Sequence, residues 1–134
     1  MSQENVEIAK RALAAVRRGD YGEAGRCFHA DAEWHNTSAF PGQRIIVGTE
    51  AIVNFVQDLF ASFTTEGERA EAEKLRASGD RVVVGVHSWG LGKSSGVPVD
   101  VRWAITFTLR DGKIARADVR GDYAEALGAA GIEE

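Results

Sequence analysis

The segment Val97–Val119, with the sequence VPVDVRWAITFTLRDGKIARADV, carries the clearest structural signal in the chain. From Val97 to Leu109 every second residue is apolar, and the residues between them are mostly polar or small. This alternation is typical of a β-strand that packs one face on a core and turns the other face toward a wetter surface. The segment therefore predicts a long strand over 97–109 and a partner strand over 113–121.

The same segment predicts how its two strands pair. Arg110-Asp111-Gly112 has the composition of a three-residue hairpin loop in which Gly112 takes the left-handed conformation. The length of this loop determines which residues lie opposite each other in the two strands. A large side chain opposite a smaller one leaves a hollow, so the expected pairs predict a cavity against the apolar face of the hairpin. The expected pairs are Phe107 with Ala115, Ile105 with Ala117, and Trp103 with Val119.

The other face of the predicted hairpin is charged. A mixed ladder of this kind is typical of either a solvated sheet face or a polar subunit interface. A long strand with so few lysines is weakly protected against pairing with another chain, which favours the interface and a homodimer. The residues on this face are Asp100, Arg102, Thr106, Arg116, Asp118 and Arg120.

Length and composition limit the classes of protein. A chain of 134 residues predicts a single domain over 1–134. The net charge of −4, with Lys and Arg interspersed among acids, argues against a nucleic-acid partner. Apolar runs too short for a bilayer and a polar N-terminus argue against a membrane partner or a signal peptide. The expected location is therefore the cytoplasm.

Helical and strand periodicities alternate through the rest of the chain. Short apolar runs predict strands over 32–35, 45–47, 67–77 and 81–89. Arg17 and Arg18 oppose the dipole at the end of the first helix. The capping residues that begin or end the predicted helices are Ser2 and Gly19 for the first helix, Asp20 and Glu23 for a short helix over 21–28, Thr49 for the third, and Asp122, Glu125 and Gly131 for the last.

This order of elements resembles the SnoaL-like family of the nuclear-transport-factor-2-like superfamily, which also contains ketosteroid isomerases, polyketide cyclases and limonene-epoxide hydrolases. The matching stretches are RRGDYGEAGRCFHADAEWH, GTEAIVNFV and LRDGKIARADV. The resemblance implies an α+β fold: a cone-shaped, strongly bent antiparallel sheet with three to four helices enclosing an apolar pocket. It also implies a dimer through the outer sheet face.

The resemblance does not extend to the catalytic residues of the superfamily. The steroid-isomerase base, oxyanion-hole tyrosine and neutral acid correspond here to Asn36, Ala12 and Ile105, none of which can exchange a proton at neutral pH. The Asp-Arg-Asp set of the epoxide hydrolases corresponds to Ser88, Val86 and Val119. The sequence therefore predicts this fold without either known catalytic set.

Histidines are the remaining candidates for a general base, because their unperturbed pKa lies near working pH. If Trp34 and Asn36 point inward, alternation turns His35 to the other face unless a bulge intervenes. His87 shares a face with Trp89, but its strand is apolar on both faces, so either face could line the pocket. Three histidines without acids or cysteine at ligand spacing predict no metal site.

The predicted ligand-binding residues form aromatic and aliphatic walls with one amide. Such walls suit a small, largely apolar metabolite bearing one or two oxygens, and no cofactor is expected. The residues are Trp34, Asn36, Phe40, Phe60, Trp89, Trp103, Ile105, Phe107 and Val119.

Three functions are compatible with the sequence. The first, favoured by the missing acids, is a pocket protein that binds an apolar metabolite. The second is an isomerase, cyclase or hydrolase that uses His35 or His87 as its base. The third is a non-catalytic dimeric interaction module whose cavity is filled by its own side chains.

Overall fold

A curved sheet with helices on both faces forms the fold. The computed structural model describes residues 2–36, 45–61, 69–91 and 95–132, with the backbone alone for residues 2, 60, 61, 69–71 and 99. In this part of the chain the elements are α1 (Ser2–Arg17), α2 (Tyr21–Arg26), β1 (Phe28–His35), β2 (Ile45–Val47), α3 (Thr49–Ala61), β3 (Arg69–Ser78), β4 (Arg81–Leu91), β5 (Pro98–Arg110), β6 (Lys113–Arg120) and α4 (Tyr123–Ala130).

The six strands lie in the order β2-β1-β6-β5-β4-β3. All neighbouring strands pair antiparallel except β1 and β6, which pair parallel. The α+β class is confirmed, and the predicted antiparallel sheet is mixed at this one pair. A parallel pair needs a long connection, and here the connection is the whole chain from β2 to β5.

The β5–β6 hairpin has a shorter loop than the sequence predicts. Arg110 pairs with Lys113, so the loop contains only Asp111 and Gly112. Their φ angles of 52° and 77° are both left-handed, as a two-residue type I′ turn requires. The predicted three-residue loop is therefore wrong.

A bulge at Ala115 follows this turn and sets the register. Leu109 pairs with Ile114, whereas Thr108 pairs with Arg116, which leaves Ala115 without an opposite residue. Phe107 therefore pairs with Ala117, and Ile105 pairs with Val119. The predicted register is wrong by two residues. An even shift keeps each side chain on its predicted face, so the apolar face still points inward.

Two of the predicted helix caps are confirmed by their hydrogen bonds. The Asp20 carboxylate accepts from the Glu23 backbone N–H at 3.1 Å, and the Asp122 carboxylate accepts from the Ala124 N–H at 2.8 Å. The backbone N–H of Asp20 donates to the Ala15 carbonyl rather than to a Glu23 side chain. Asp20 therefore provides only one half of the predicted capping box.

The main core lies between the concave face of the sheet and the helices α1 and α3. Each large apolar side chain that leaves water here contributes roughly 1.5–3 kcal/mol. The largest fully buried side chains of this core are Phe107, Ile52, Ile105, Ile114, Val82, Val84 and Val119.

A second, smaller core lies on the outer face of the sheet. Val83 of β4 and Ala104 of β5 pack there against Ala126 and Leu127 of α4. The sequence predicts a charged outer face, but α4 makes its centre apolar. This packing also explains why β4 is apolar on both faces: the strand is covered on both sides.

Replacing Gly85 with alanine is expected to lower the free energy of unfolding by about 1–3 kcal/mol, the usual cost of overpacking. A Cβ at Gly85 would lie 3.0 Å from Tyr123 Cδ1 and 3.4 Å from Lys74 Cβ, so the Tyr123 ring would have to move. Urea denaturation measures the difference.

Gly128→Ala is the matched control for this substitution. A Cβ at Gly128 meets nothing within 4 Å, and alanine is favoured over glycine inside a helix by about 1 kcal/mol. This variant should be as stable as the parent or more so. A Gly85→Ala protein of unchanged stability would contradict the close packing of Tyr123 on β4.

Candidate functional site

A cavity of about 600 Å³ opens between the concave face of the sheet, α1 and α3. This volume lies in the range of small-molecule binding sites, about 300–1,000 Å³. Alternation along β4 and β5 places large side chains on its floor, and one face of each helix supplies its walls. The floor is Val86, Trp103, Ile105 and Phe107, and the helical walls include Ala12, Leu13, Val16, Ile52, Val53 and Val56.

Two tryptophans line the cavity with their polar atoms already paired. Trp34 Nε1 donates to Asn36 Oδ1 at 2.8 Å, and Trp103 Nε1 donates to Ser88 Oγ at 3.0 Å. Trp34 also contacts the Phe55 ring, with centroids 6.0 Å apart. A buried indole N–H usually has a partner, and these internal bonds leave the rings as apolar surfaces. Asn36, expected as a polar contact for a ligand, accepts this bond from Trp34, and the described lining of the cavity does not include it.

The structure brings together part of the predicted ligand-binding set. Trp34, Trp103, Ile105 and Phe107 line the cavity. Val119 is buried in the same core, but the described lining does not include it. Trp89 lies on the outer face of the sheet, because Val86 faces the cavity and the side chains of β4 alternate.

The positions of two predicted ligand-binding side chains are not described by the structure. Phe40 is outside the described residues, and Phe60 belongs to α3 with its side chain outside them.

Both candidate histidines are placed on the outer face. His35 Nε2 lies 2.8 Å from Glu33 Oε1, and His87 Nε2 lies 2.8 Å from Asp100 Oδ1. The His87 ring also stacks on Trp89, with centroids 4.5 Å apart. A general base must come within hydrogen-bond reach of its substrate. The sheet itself separates both imidazoles from the cavity.

The described lining of the cavity also includes charged residues that the sequence analysis did not assign to the site. Glu73 occupies the bulge between the Ala72 and Lys74 pairs of β3, and its carboxylate is bonded to Arg102 at 2.9 and 3.4 Å. This bonding holds the pKa of Glu73 below its usual value. Among the described residues that line the cavity, the charged ones are Lys10, Arg17, Arg18, Glu73 and Lys74. The side chains of Glu73 and Lys74 turn toward Arg102 and Tyr123 on the outer face of the sheet, so the charged side chains at the cavity mouth are those of Lys10, Arg17 and Arg18.

Three of the six positions that correspond to the two known catalytic sets are in the described lining of the cavity. Ala12, Ile105 and Val86 line it with aliphatic groups, and the Ser88 hydroxyl accepts from Trp103. Among the described residues no cluster of His, Cys, Asp and Glu could hold a metal ion. Within the same residues no helix has both the length and the apolar character needed to cross a bilayer.

The fold and the cavity match those implied by the resemblance of the sequence to the SnoaL-like family. The model of the SnoaL-like domain matches residues 9–117, so the chain belongs to the SnoaL-like family. No curated protein matches the chain by sequence.

Solved structures extend this likeness over almost the whole chain. A nuclear-transport-factor-2-like protein of Burkholderia xenovorans LB400 is 26% identical, with a TM-score of 0.74 over 97% of both chains. A protein named as a candidate SnoaL-like polyketide cyclase of Jannaschia sp. CCS1 is 22% identical, with a TM-score of 0.79 over 99% of this chain and 95% of its own. TerC, co-crystallised with polyporic acid, is 22% identical, with a TM-score of 0.76 over 93% and 96%. These neighbours support the cone-shaped fold.

Proposed function

We propose that the protein binds a small, largely apolar organic molecule in the cavity between the sheet, α1 and α3. The observation that carries this proposal is the cavity itself, about 600 Å³ in volume and walled by aromatic and aliphatic side chains. Binding would take place without the steroid-isomerase or epoxide-hydrolase catalytic set, because Asn36, Ala12 and Ile105 occupy the isomerase positions and offer no general acid or base.

The walls favour shape and apolar contact over directed hydrogen bonds. The N–H groups of Trp34 and Trp103 are bonded within the protein, so a ligand would gain mainly from removing apolar surface from water. That gain is roughly 25 cal/mol for each Å² buried. The co-crystallisation of TerC with polyporic acid is consistent with a small organic ligand in a protein of this fold.

Titration with 2-naphthamide, a neutral two-ring aromatic probe, tests the proposal. Trp34 and Trp103 line the cavity and Trp89 lies outside it, so saturable changes in tryptophan emission should persist in Trp89→Phe. They should be lost in the double variant Trp34→Phe/Trp103→Phe. Native mass spectrometry of the purified protein would reveal a ligand that co-purifies. No saturable binding of 2-naphthamide or of any compound in a broad apolar library would overturn the proposal.

We further propose that the protein forms a homodimer through the outer sheet face. Supporting this proposal, the half-buried Trp89 lies beside His87 on that face, and an ion pair joins Glu73 to Arg102 next to them. Aromatic and arginine side chains are enriched in such interfaces. Sedimentation equilibrium at micromolar concentration should give a dimer, and Trp89→Glu should shift it toward monomer. A monomeric parent protein would contradict the proposal.

A further inference from the structure

Cationic side chains dominate the mouth of the cavity. Lys10 and Arg17 lie seven residues apart on α1, so they project from one face of the helix, about 10 Å apart along its axis. Both are exposed. Leu13 lies between them on the same face and lines the cavity. The chain as a whole is acidic, with a net charge of −4, so this positive edge is a local feature.

Of the five charged residues in the described part of the cavity lining, three already have partners. Arg18 Nη2 lies 3.5 Å from the Asp20 carboxylate. Lys74 Nζ lies 5.3 Å from the centroid of the Tyr123 ring. Glu73 is bonded to Arg102 outside the cavity. Glu73, the acid in the described lining, is therefore paired on the outer face of the sheet, away from Lys10 and Arg17.

Lys10 and Arg17 differ from these three. Within residues 2–36, 45–61, 69–91 and 95–132, neither side chain has an ion-pair or hydrogen-bond partner. The helix dipole gives a reason for Arg17 in the last turn of α1. It gives none for Lys10, which lies two turns before the end of the helix.

We propose that the ligand is an amphipathic anion, with its apolar body in the cavity and a carboxylate or similar oxyanion held at the mouth by Lys10 and Arg17. This inference rests on the proposed function and specifies its ligand class. An ionised group is costly to bury, and at the mouth it stays in contact with water and two cations. Flexible lysine and arginine stems can reach an oxyanion from either side, and the local positive charge attracts it.

A pair of isosteric probes tests the charge alone. We would measure the affinities of 2-naphthoate and 2-naphthamide by isothermal titration calorimetry at neutral pH and low salt. The naphthoate should bind roughly three- to thirty-fold more tightly, as expected for two solvent-exposed ion pairs. Raising the salt concentration should remove most of this difference. Equal affinities for the two probes at low salt would overturn the inference while leaving the proposed function intact.

Substitution of the two cations tests whether they cause the tighter binding of the naphthoate. Lys10→Gln/Arg17→Gln should abolish the advantage of the naphthoate over the naphthamide. Glutamine is a good helix former, so α1 should persist, and circular dichroism checks this. Lys113→Gln, at the start of β6, removes an exposed cation that is not part of the described cavity lining and should change neither affinity.

Two further results have definite meanings. A naphthoate advantage that survives the double substitution would overturn the role of Lys10 and Arg17. Failure of both probes, and of an apolar library, to bind the parent protein would overturn the proposed function and the inference together.

Discussion

Replacing Phe107 with alanine is expected to lower the free energy of unfolding by about 3–5 kcal/mol. The ring is 2% exposed, lies in the core between the concave sheet face and the helices, and also forms part of the cavity floor. Its removal would join a new void to an existing cavity. Neighbours that already border empty space cannot close around the void, so little of the loss can be recovered by relaxation.

Urea denaturation followed by circular dichroism measures this loss, with Leu91→Ala as the control. Leu91 lies at the end of β4 and is 41% exposed, so its truncation should change stability by about 0.5 kcal/mol or less. Phe107→Leu keeps most of the volume and should fall between the two. A loss below about 1 kcal/mol for Phe107→Ala would show that the ring is not packed as the structure has it.

Replacing Trp103 with alanine is expected to weaken the binding of 2-naphthamide by roughly 5- to 150-fold, or about 1–3 kcal/mol. Trp103 contributes an aromatic surface to the cavity floor, and its N–H is held by Ser88 rather than offered to a ligand. The loss would therefore be that of apolar and stacking contact. Calorimetry is the suitable measurement because the substitution also changes tryptophan emission.

Trp89→Ala is the matched control for this prediction. Trp89 is a half-buried tryptophan of the neighbouring strand, but it lies on the other side of the sheet beside His87. Its replacement should leave the affinity for 2-naphthamide unchanged. If Trp89→Ala weakened binding as much as Trp103→Ala, the ligand would have to bind somewhere other than the concave face.

The sequence was sufficient to predict most of the elements and the inward face of β5. The alternation from Val97 to Leu109 reflects which side chains avoid water. It therefore predicts the inward face of the strand whichever residues of β6 lie opposite. The register itself depends on the bulge at Ala115 and on the two-residue turn at Asp111-Gly112. Asp111-Gly112 is a pair that two-residue type I′ turns prefer, but the three-residue prediction assigned the left-handed conformation to Gly112 alone. The bulge at Ala115 has no comparable signal in the sequence.

The inward face of β4 could not be assigned from its own residues. Val82, Val84 and Val86 face the concave side, whereas Val83 packs under α4. A strand buried on both faces has no alternation to read. Only the three-dimensional packing of α4 shows that His87 and Trp89 point away from the cavity.

The charged mouth of the cavity was missed for a different reason. Lys10 is an ordinary exposed residue of an amphipathic helix, and Arg17 has a sufficient explanation in the helix dipole. Their relation to a ligand site appears only when α1 is placed against the sheet. Trp34, Trp103, Ile105 and Phe107 were easier to predict, because large apolar side chains on one face of a strand point to a single interior.

The parallel pairing of β1 with β6 has a consequence for how the chain reaches its native state. β2, α3, β3, β4 and β5 all lie between β1 and β6 in the chain, so the two halves of the sheet that meet at this pair are far apart in sequence. Joining segments so distant in sequence carries a high loop-closure entropy, and folding slows as such contacts accumulate. We expect folding on the millisecond-to-second scale of strand-rich proteins.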